Sequence, residues 1–303
     1  MINKPYNSAL VIGLGLIGSS IARAIKEKKI AQNISAIDNN EKTINKTKEL
    51  KIVNHIYDSF ENISDQFDLI FICTPLSSYQ SLFKKLNSFV KKPTLITDVG
   101  STKVSVINDF KSFVNNDKLL FLPAHPIAGL EKSGPEHGFA KLFDDRYCII
   151  TPINSNDKFV ESLSNIWRAI GMTVEIMDAE RHDRVLAMTS HIPQLIAYSV
   201  VGTATELENQ MKDEVIKYSA AGFRDFTRLA GSDPVMWRDV YEKNKEAVLE
   251  MLGRFSEDLL TYQKAIRNND LKFLEDKFSR SREIRKIIEE IGQAGTFDPT
   301  EKN

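Results

Sequence analysis

Gly13-Leu14-Gly15-Leu16-Ile17-Gly18 fits the pattern G-x-G-x-x-G. The hexapeptide alone is a weak signal. Here it follows the apolar run Ala9 to Ile12, opens a helical pattern at Leu16, and precedes Asp38, which ends the next apolar run. That context makes it a dinucleotide-binding fingerprint. Gly13 permits a tight turn, Gly15 lets the backbone approach a pyrophosphate, and Gly18 packs helix on strand. The N–H groups at the start of the helix, around Leu16 and Ile17, then meet the anion. Asp38 suits the adenosine ribose hydroxyls and repels a 2′-phosphate, so the expected cofactor is NAD rather than NADP. Asn39-Asn40 offers no arginine to reverse that preference. Asp38 has a second reading as the N-cap of a helix from Glu41. Thr74 and Pro75, in Cys73-Thr74-Pro75-Leu76, stand at the carboxyl end of another strand and are expected to line the cleft.

Two more strand ends carry polar groups, Asp98-Val99-Gly100-Ser101-Thr102-Lys103 and Pro123-Ala124-His125-Pro126-Ile127-Ala128-Gly129, and both are expected to open on the same cleft. A nicotinamide dehydrogenase that oxidises an alcohol needs a base for the hydroxyl proton, and imidazole titrates near neutral pH, so His125 is the catalytic candidate. Ser101 is placed to hold the imidazole or the substrate hydroxyl. A lone histidine is also a common structural residue, and that alternative stands. His55, His137 and His182 show no partner pattern. No metal-ligand spacing occurs, so no metal is expected.

The elements that must position these groups alternate from residue 8 to 150 as βα units feeding a parallel sheet. Strands are expected at Ala9 to Ile12, Ile34 to Ile37, Leu69 to Cys73, Thr94 to Thr97, Leu119 to Leu122 and Tyr147 to Thr151, each continuously apolar as in a sheet covered on both faces. Helices are expected at Leu16 to Lys28, Glu41 to Leu50, Leu76 to Val90, Lys103 to Phe113 and Asp157 to Ile170, with Met172 to Met177 as a last strand. After Asp178 the period becomes helical. The patterns run Ala179 to Leu207, Met211 to Ala220, Pro234 to Gly253, Phe255 to Asn268 and Leu271 to Ile291, with a frayed tail from Gly295. The fold class is therefore a Rossmann-type doubly wound α/β domain, residues 1–177, followed by an all-α domain, residues 178–303.

The 303 residues suit two domains, and their 42% hydrophobic and 27% charged content excludes disordered and low-complexity classes. With 40 basic against 41 acidic residues the net charge is −1, so no global field would hold the chain on nucleic acid or an anionic membrane. Anions must be captured locally, and Arg23 is the only arginine before Arg146, which puts most planar anion-binding groups in the helical half. Cys73 and Cys148 sit in apolar runs and read as buried free thiols of a reducing compartment. No run approaches the ~18 uninterrupted apolar residues of a membrane span, and the N-terminus is too polar for a signal sequence, so a cytoplasmic location is expected.

Five separated segments, in order, carry a resemblance. They are Gly13 to Gly18; Gly100-Ser101-Thr102-Lys103; His125 to Gly129 with Glu131-Lys132-Ser133-Gly134; Ser190-His191-Ile192-Pro193; and Gly222-Phe223-Arg224-Asp225-Phe226-Thr227-Arg228 with Ser232 to Trp237. Together they resemble the prephenate and arogenate dehydrogenase family of tyrosine biosynthesis. The resemblance implies oxidative decarboxylation of prephenate, or of its amino analogue arogenate, with NAD accepting the hydride. It places His125 as the catalytic histidine and Arg228 on a substrate carboxylate, in keeping with the need for a planar donor against a dicarboxylate. It makes His191 a second active-site histidine, where Pro193 should kink the helix by leaving the Thr189 carbonyl without its donor. A core histidine beside a structural kink, and a solvated charge at Arg228, are the bland alternatives. Trp237 is expected in the pocket or in the core. Leu130 stands where relatives often carry a polar residue and cannot bind an ammonium group, which counts against a strict arogenate enzyme unless Glu131 supplies the charge.

Two rivals differ at specific residues. A β-hydroxyacid dehydrogenase would carry a catalytic lysine on a helix near the domain junction, yet Asp178 to Gln210 contains none. A non-catalytic NAD sensor would have little reason to keep His125 and Arg228. With no regulatory domain after the helices, feedback inhibition by tyrosine would act at the active site. The helices are too extensive for one small bundle to bury, so a homodimer through them is expected.

Overall fold

The computed structural model describes residues 5–130, 132–153, 157–206, 214 and 217–291. Its first half is a six-stranded parallel sheet of β1 (Tyr6–Ile12), β2 (Ala31–Ile37), β3 (His55–Tyr57), β4 (Leu69–Ile72), β5 (Thr94–Asp98) and β6 (Leu119–Phe121). The spatial order is β3-β2-β1-β4-β5-β6. This is the doubly wound order, with its switch point between β1 and β4, where such sheets bind ligands. Residues in β1 alternate in destination. Ala9 and Val11 join one core with Ile21, Ile25 and Trp167, whereas Leu10 and Ile12 join the other with Tyr79, Phe83 and Phe121. Those residues sit on helices α1 (Leu16–Glu27), α2 (Glu41–Glu49), α3 (Tyr79–Phe89), α4 (Val104–Phe113) and α5 (Asp157–Ile170), or on the strands they cover. Burial on both faces explains the unbroken apolar runs, since each such Leu or Ile contributes roughly 1.5–3 kcal/mol.

The last two expected strands do not extend this sheet. Tyr147–Ile150 (β8) and Thr173–Ile176 (β9) form a separate three-stranded sheet with Ala124–Pro126 (β7), antiparallel for β7–β8 and parallel for β8–β9. Periodicity could not show β7, because three residues are too few to display it. The strand β3 escaped for the same reason.

Helices follow: α6 (Ala179–Leu186), a π turn Ala187–His191, α7 (Ile192–Thr205), α8 (Ala221–Thr227), a 3₁₀ turn Arg228–Gly231, α9 (Pro234–Lys243), α10 (Lys245–Arg267) and α11 (Leu271–Glu290). The single helix expected over Ala179 to Leu207 is thus interrupted where Pro193 removes a donor. By length and composition Ala179–Thr205 matches a membrane span, with a mean hydropathy of 1.2. His182, Asp183, His191 and Gln194 are buried within it, and 33% of the apolar window is buried in the single chain. The break expected after Gly253 falls instead at Asn244, whose amide bonds elsewhere in the fold, and Gly253 lies inside α10. Half of the expected helix Met211 to Ala220, and the tail from Gly295, lie outside the described residues, and Ala221–Thr227 is helical where none was expected.

The chain divides into compact units of residues 1–248 and 249–303. Helices α6 to α9 therefore belong to the first unit. In the second, Tyr262 meets Phe273 edge-on at 6.4 Å and stacks on Phe278 at 5.9 Å.

Candidate active site

Gly13 has φ +89°, and a Cβ there would lie 2.8 Å from the Cys73 carbonyl oxygen. A Cβ on Gly18 would lie 1.9 Å from the Gly13 oxygen, whereas one on Gly15 would meet nothing within 4 Å. Gly13 and Gly18 are thus required by the protein's own backbone, and Gly15 faces open space where a pyrophosphate would approach. Gly15 caps α1 with no side-chain bond, so the N–H groups of Leu16, Ile17 and Gly18 are those a helix start offers to an anion. At the end of β2, Asp38 Oδ2 accepts the Leu14 N–H at 2.8 Å and Oδ1 the Asn40 N–H at 2.9 Å. Asn40, not Asp38, caps α2, taking the N–H groups of Lys42 and Thr43. The capping alternative for Asp38 falls away, and each of its oxygens keeps a lone pair for a ribose hydroxyl. Thr74 packs beside Gly13 and accepts a hydrogen bond from Ser78 at 2.7 Å, next to Pro75 across the switch point.

The other site is built from side chains far apart in sequence. His125, partly buried on β7, has Nδ1 2.9 Å from His182 Nε2. His182 Nδ1 lies 2.7 Å from Asp183 Oδ1. Asp183 in turn accepts the N–H groups of Lys103 at 2.7 Å and Val104 at 2.9 Å, which ties it to the positive N-terminal end of α4. Asp178 caps α6 through the Arg181 N–H and so sets the turn that presents His182 and Asp183. The carboxylate can only accept, so His182 Nδ1 donates to it, His182 Nε2 accepts, and His125 Nδ1 donates. His125 Nε2 is left with its lone pair. Burial, then the neighbouring His182, Lys103 and His191, push the His125 pKa well below 6.5 and keep the ring neutral.

His191 is 1% exposed at the end of the π turn. The Asn244 amide donates to the Asp183 carbonyl at 2.9 Å and meets His191 Nδ1 at 3.1 Å. His191 Nε2 then carries the hydrogen, buried and without a partner among the described residues, as is the Trp237 indole N–H. The two rings meet edge-on, 5.9 Å apart. Two orphan donors side by side are what an acceptor-rich ligand would satisfy. Burial takes the His191 pKa down to about 4. Gln194 and Tyr198 lie on the same face of α7 and donate to the carbonyls of Leu229, at 2.6 Å, and Ser232, at 2.9 Å. They anchor the turn that starts at Arg228, an exposed residue in the single chain.

Several expectations need correction. His182, which has no partner pattern in sequence, is the partner of His125; it lies 57 residues away, so no local spacing reveals it. The imidazole is held by His182, and Ser101 forms no hydrogen bond to it. Leu130 is 48% exposed, and Glu131 lies outside the described residues. A concavity of about 300 Å³ lined by Ile127, Gly129, Leu130, Phe139, Lys141 and Arg146 adjoins that loop, but none of the histidines lines it. Among the described residues no cluster of three or more His, Cys, Asp or Glu could hold a metal, and both cysteines are free thiols.

Residues 21–176 match the sequence family described as prephenate dehydrogenase, nucleotide-binding domain, and residues 178–280 match its dimerization domain. A cyclohexadienyl dehydrogenase of Zymomonas mobilis is 36% identical over 92% of this chain and 95% of its own. A prephenate dehydrogenase of Bacillus subtilis is 32% identical over 94% of this chain and 76% of its own. The crystal structure of prephenate dehydrogenase from Aquifex aeolicus, in complex with hydroxyphenyl propionate and NAD+, superposes with a TM-score of 0.88 at 29% identity, covering 94% of this chain and 99% of that one. Two consecutive domain matches and two relatives above 30% identity agree with the glycine cradle and the histidine cluster: the chain belongs to the prephenate dehydrogenase family.

Proposed function

We propose that this enzyme oxidises prephenate with NAD to 4-hydroxyphenylpyruvate and carbon dioxide, with His125 Nε2 taking the proton of the ring hydroxyl. The observation that carries this reading is the chain Asp183–His182–His125, which leaves a neutral imidazole with one free acceptor nitrogen. The glycine cradle and Asp38 fit NAD, which when bound supplies the nicotinamide that takes hydride from the carbon bearing the hydroxyl. As His125 draws off the proton, the bond to the ring carboxylate breaks, its electron pair enters the ring and carbon dioxide leaves, and the proton held on His125 Nε2 then returns to the ring oxygen to give the phenol. Arg228 grips a carboxylate of the substrate with its forked donors, and the His191 and Trp237 N–H groups, both orphaned, serve its remaining acceptors. Ser101, next to the clamped β5–α4 junction, assists the substrate hydroxyl rather than the imidazole.

Prephenate is preferred to arogenate because Leu130 brings no charge to meet an ammonium group. The test is NAD reduction on adding prephenate, compared with arogenate and a panel of hydroxy acids. No NADH with prephenate would overturn the reading, and faster turnover of arogenate would exchange the substrates.

Residues 1–177 act as the NAD domain and 178–303 as the substrate and dimerisation domain, a division supported by the two family matches. That α6 to α9 cluster with the first unit has a physical reason: they carry His182, His191 and Asn244 onto the His125 side of the cleft. The second unit leaves Leu259, Leu260, Phe278, Ile284 and Ile287 at least half exposed, the surface of a homodimer in the cytoplasm. A concentration-independent monomer by light scattering would count against the dimer.

A further inference from the structure

Asp98 ends β5 and Lys103 precedes α4, and both side chains are completely buried, with Lys103 Nζ 2.6 Å from Asp98 Oδ2. Neither touches the surface or faces a solvent-filled cleft. Their remaining bonds converge on one residue. Lys103 Nζ donates to the Ala124 carbonyl at 2.7 Å, and Asp98 Oδ1 accepts the Ala124 N–H at 3.2 Å. Asp98 Oδ2 is itself held by the Tyr79 hydroxyl at 3.1 Å and the Gly100 N–H at 2.8 Å. Both backbone polar groups of Ala124 are therefore engaged by a single ion pair. The ladder between β5 and β6 ends at Phe121, so past that point the pair replaces the strand neighbour that the chain has lost. The next residue is His125.

We infer that Asp98 and Lys103 form a positioning pair, which clamps the backbone of β7 so that the His125 imidazole meets the substrate hydroxyl. The inference rests on His125 being the base. Stability by itself is a poor reason for the pair, because replacing a buried ion pair by well-packed apolar groups is often neutral or stabilising. Position is a better one, since a shift of about 1 Å at a reacting group can cost on the order of 10²-fold in rate. The pair has a second effect through charge. His125 is faced by His182 and Asp183 from α6, by His191 from the π turn, by Lys103 and Asp98 from the β5–α4 junction, and by Cys148 from β8. Of these, His182, Lys103 and His191 disfavour its protonation, and Lys103 is the one that belongs to the ion pair.

The test uses the full chain with prephenate and NAD. The double variant Asp98→Asn with Lys103→Met removes both charges without leaving one unpaired. The expected result is a folded protein by circular dichroism, kcat lowered about tenfold or more, and substrate KM and NAD affinity within about twofold. The acid limb of its kcat/KM profile should move to higher pH, since of the two charges removed it is the Lys103 ammonium that acts on His125 and opposes its protonation. Tyr79→Phe loosens Asp98 while keeping both charges, and should lower kcat a few-fold with the limb unmoved. A folded double variant with wild-type kcat and an unmoved acid limb would overturn the inference, as would an equal loss of NAD affinity, which marks a scaffold. If the double variant does not fold, unchanged kcat in Tyr79→Phe overturns it. His125→Asn separates the two readings. Near-normal turnover there defeats His125 as the base, whereas low turnover there with wild-type behaviour of the pair variants defeats the clamp alone.

Discussion

The cofactor cradle and the histidine cluster are assembled by different means. The cradle is backbone: Gly13, Gly15 and Gly18 lie within six residues, and only Asp38 reaches in from the neighbouring strand, through a bond to the Leu14 N–H. The cluster is side chain on side chain, joining His125 to His182 across 57 residues and Asn244 to His191 across 53. A backbone site needs residues that permit a conformation, and that need is local. A side-chain site needs a scaffold to bring remote groups within 3 Å, so it is more exposed to small displacements.

That contrast can be broken at its strongest point first. His125→Asn should lower kcat by on the order of 10²-fold or more with little effect on folding, because the base is lost while the pocket stays filled. Near-normal turnover would remove His125 from the mechanism. His182→Ala should lower kcat about tenfold at unchanged KM, since the ring tautomer is no longer fixed. Full activity in that variant would reduce the hydrogen-bond chain to packing.

Arg228→Ala should raise the substrate KM by an amount corresponding to about 1.5–3 kcal/mol, the range for a hydrogen bond to a charged group. Because Arg228 is exposed in the single chain, the larger cost of stranding a buried charge does not apply. Arg228→Lys should recover part of the loss, as it keeps charge without the fork. Equal losses in NAD and substrate affinity, measured separately, would place Arg228 in the scaffold. On the cradle side, Asp38→Ala should lower the NAD to NADP preference about tenfold, a loss of roughly 1.4 kcal/mol. An unchanged ratio in steady-state kinetics would deny the ribose contact.

The smallest effect is on stability. Burial lowers the pKa of His125, His182 and His191 below the 6.5 of a free imidazole. Below pH 6.5 the unfolded chain takes up protons that the folded chain refuses, so stability is full above that pH and declines as pH falls toward the folded values. His191, at about 4, should by itself cost about 1 kcal/mol between pH 6.5 and about pH 5.5. Denaturant midpoints that stay flat across that interval would contradict the neutral, buried cluster.

The strands β1, β2, β4 and β5, the helices that cover them and the glycine cradle could all be read from residue type and spacing. Each depends on interactions within one βα unit, where apolar runs and turn residues obey local rules. Three features could not be read that way: the pairing of β7 with β8 in a second sheet, the partnership of His125 with His182, and the helix break at Asn244. β7 is too short for a period, and its backbone is held by Asp98 and Lys103 rather than by a strand on that side. His182 and Asn244 look like ordinary polar residues of amphipathic helices. The amino-acid sequence by itself determined the dinucleotide fold and the cofactor class. Only the tertiary structure decided how the His125 imidazole is held, because a hydrogen bond between side chains depends on distances of a few ångströms that no spacing along the chain specifies.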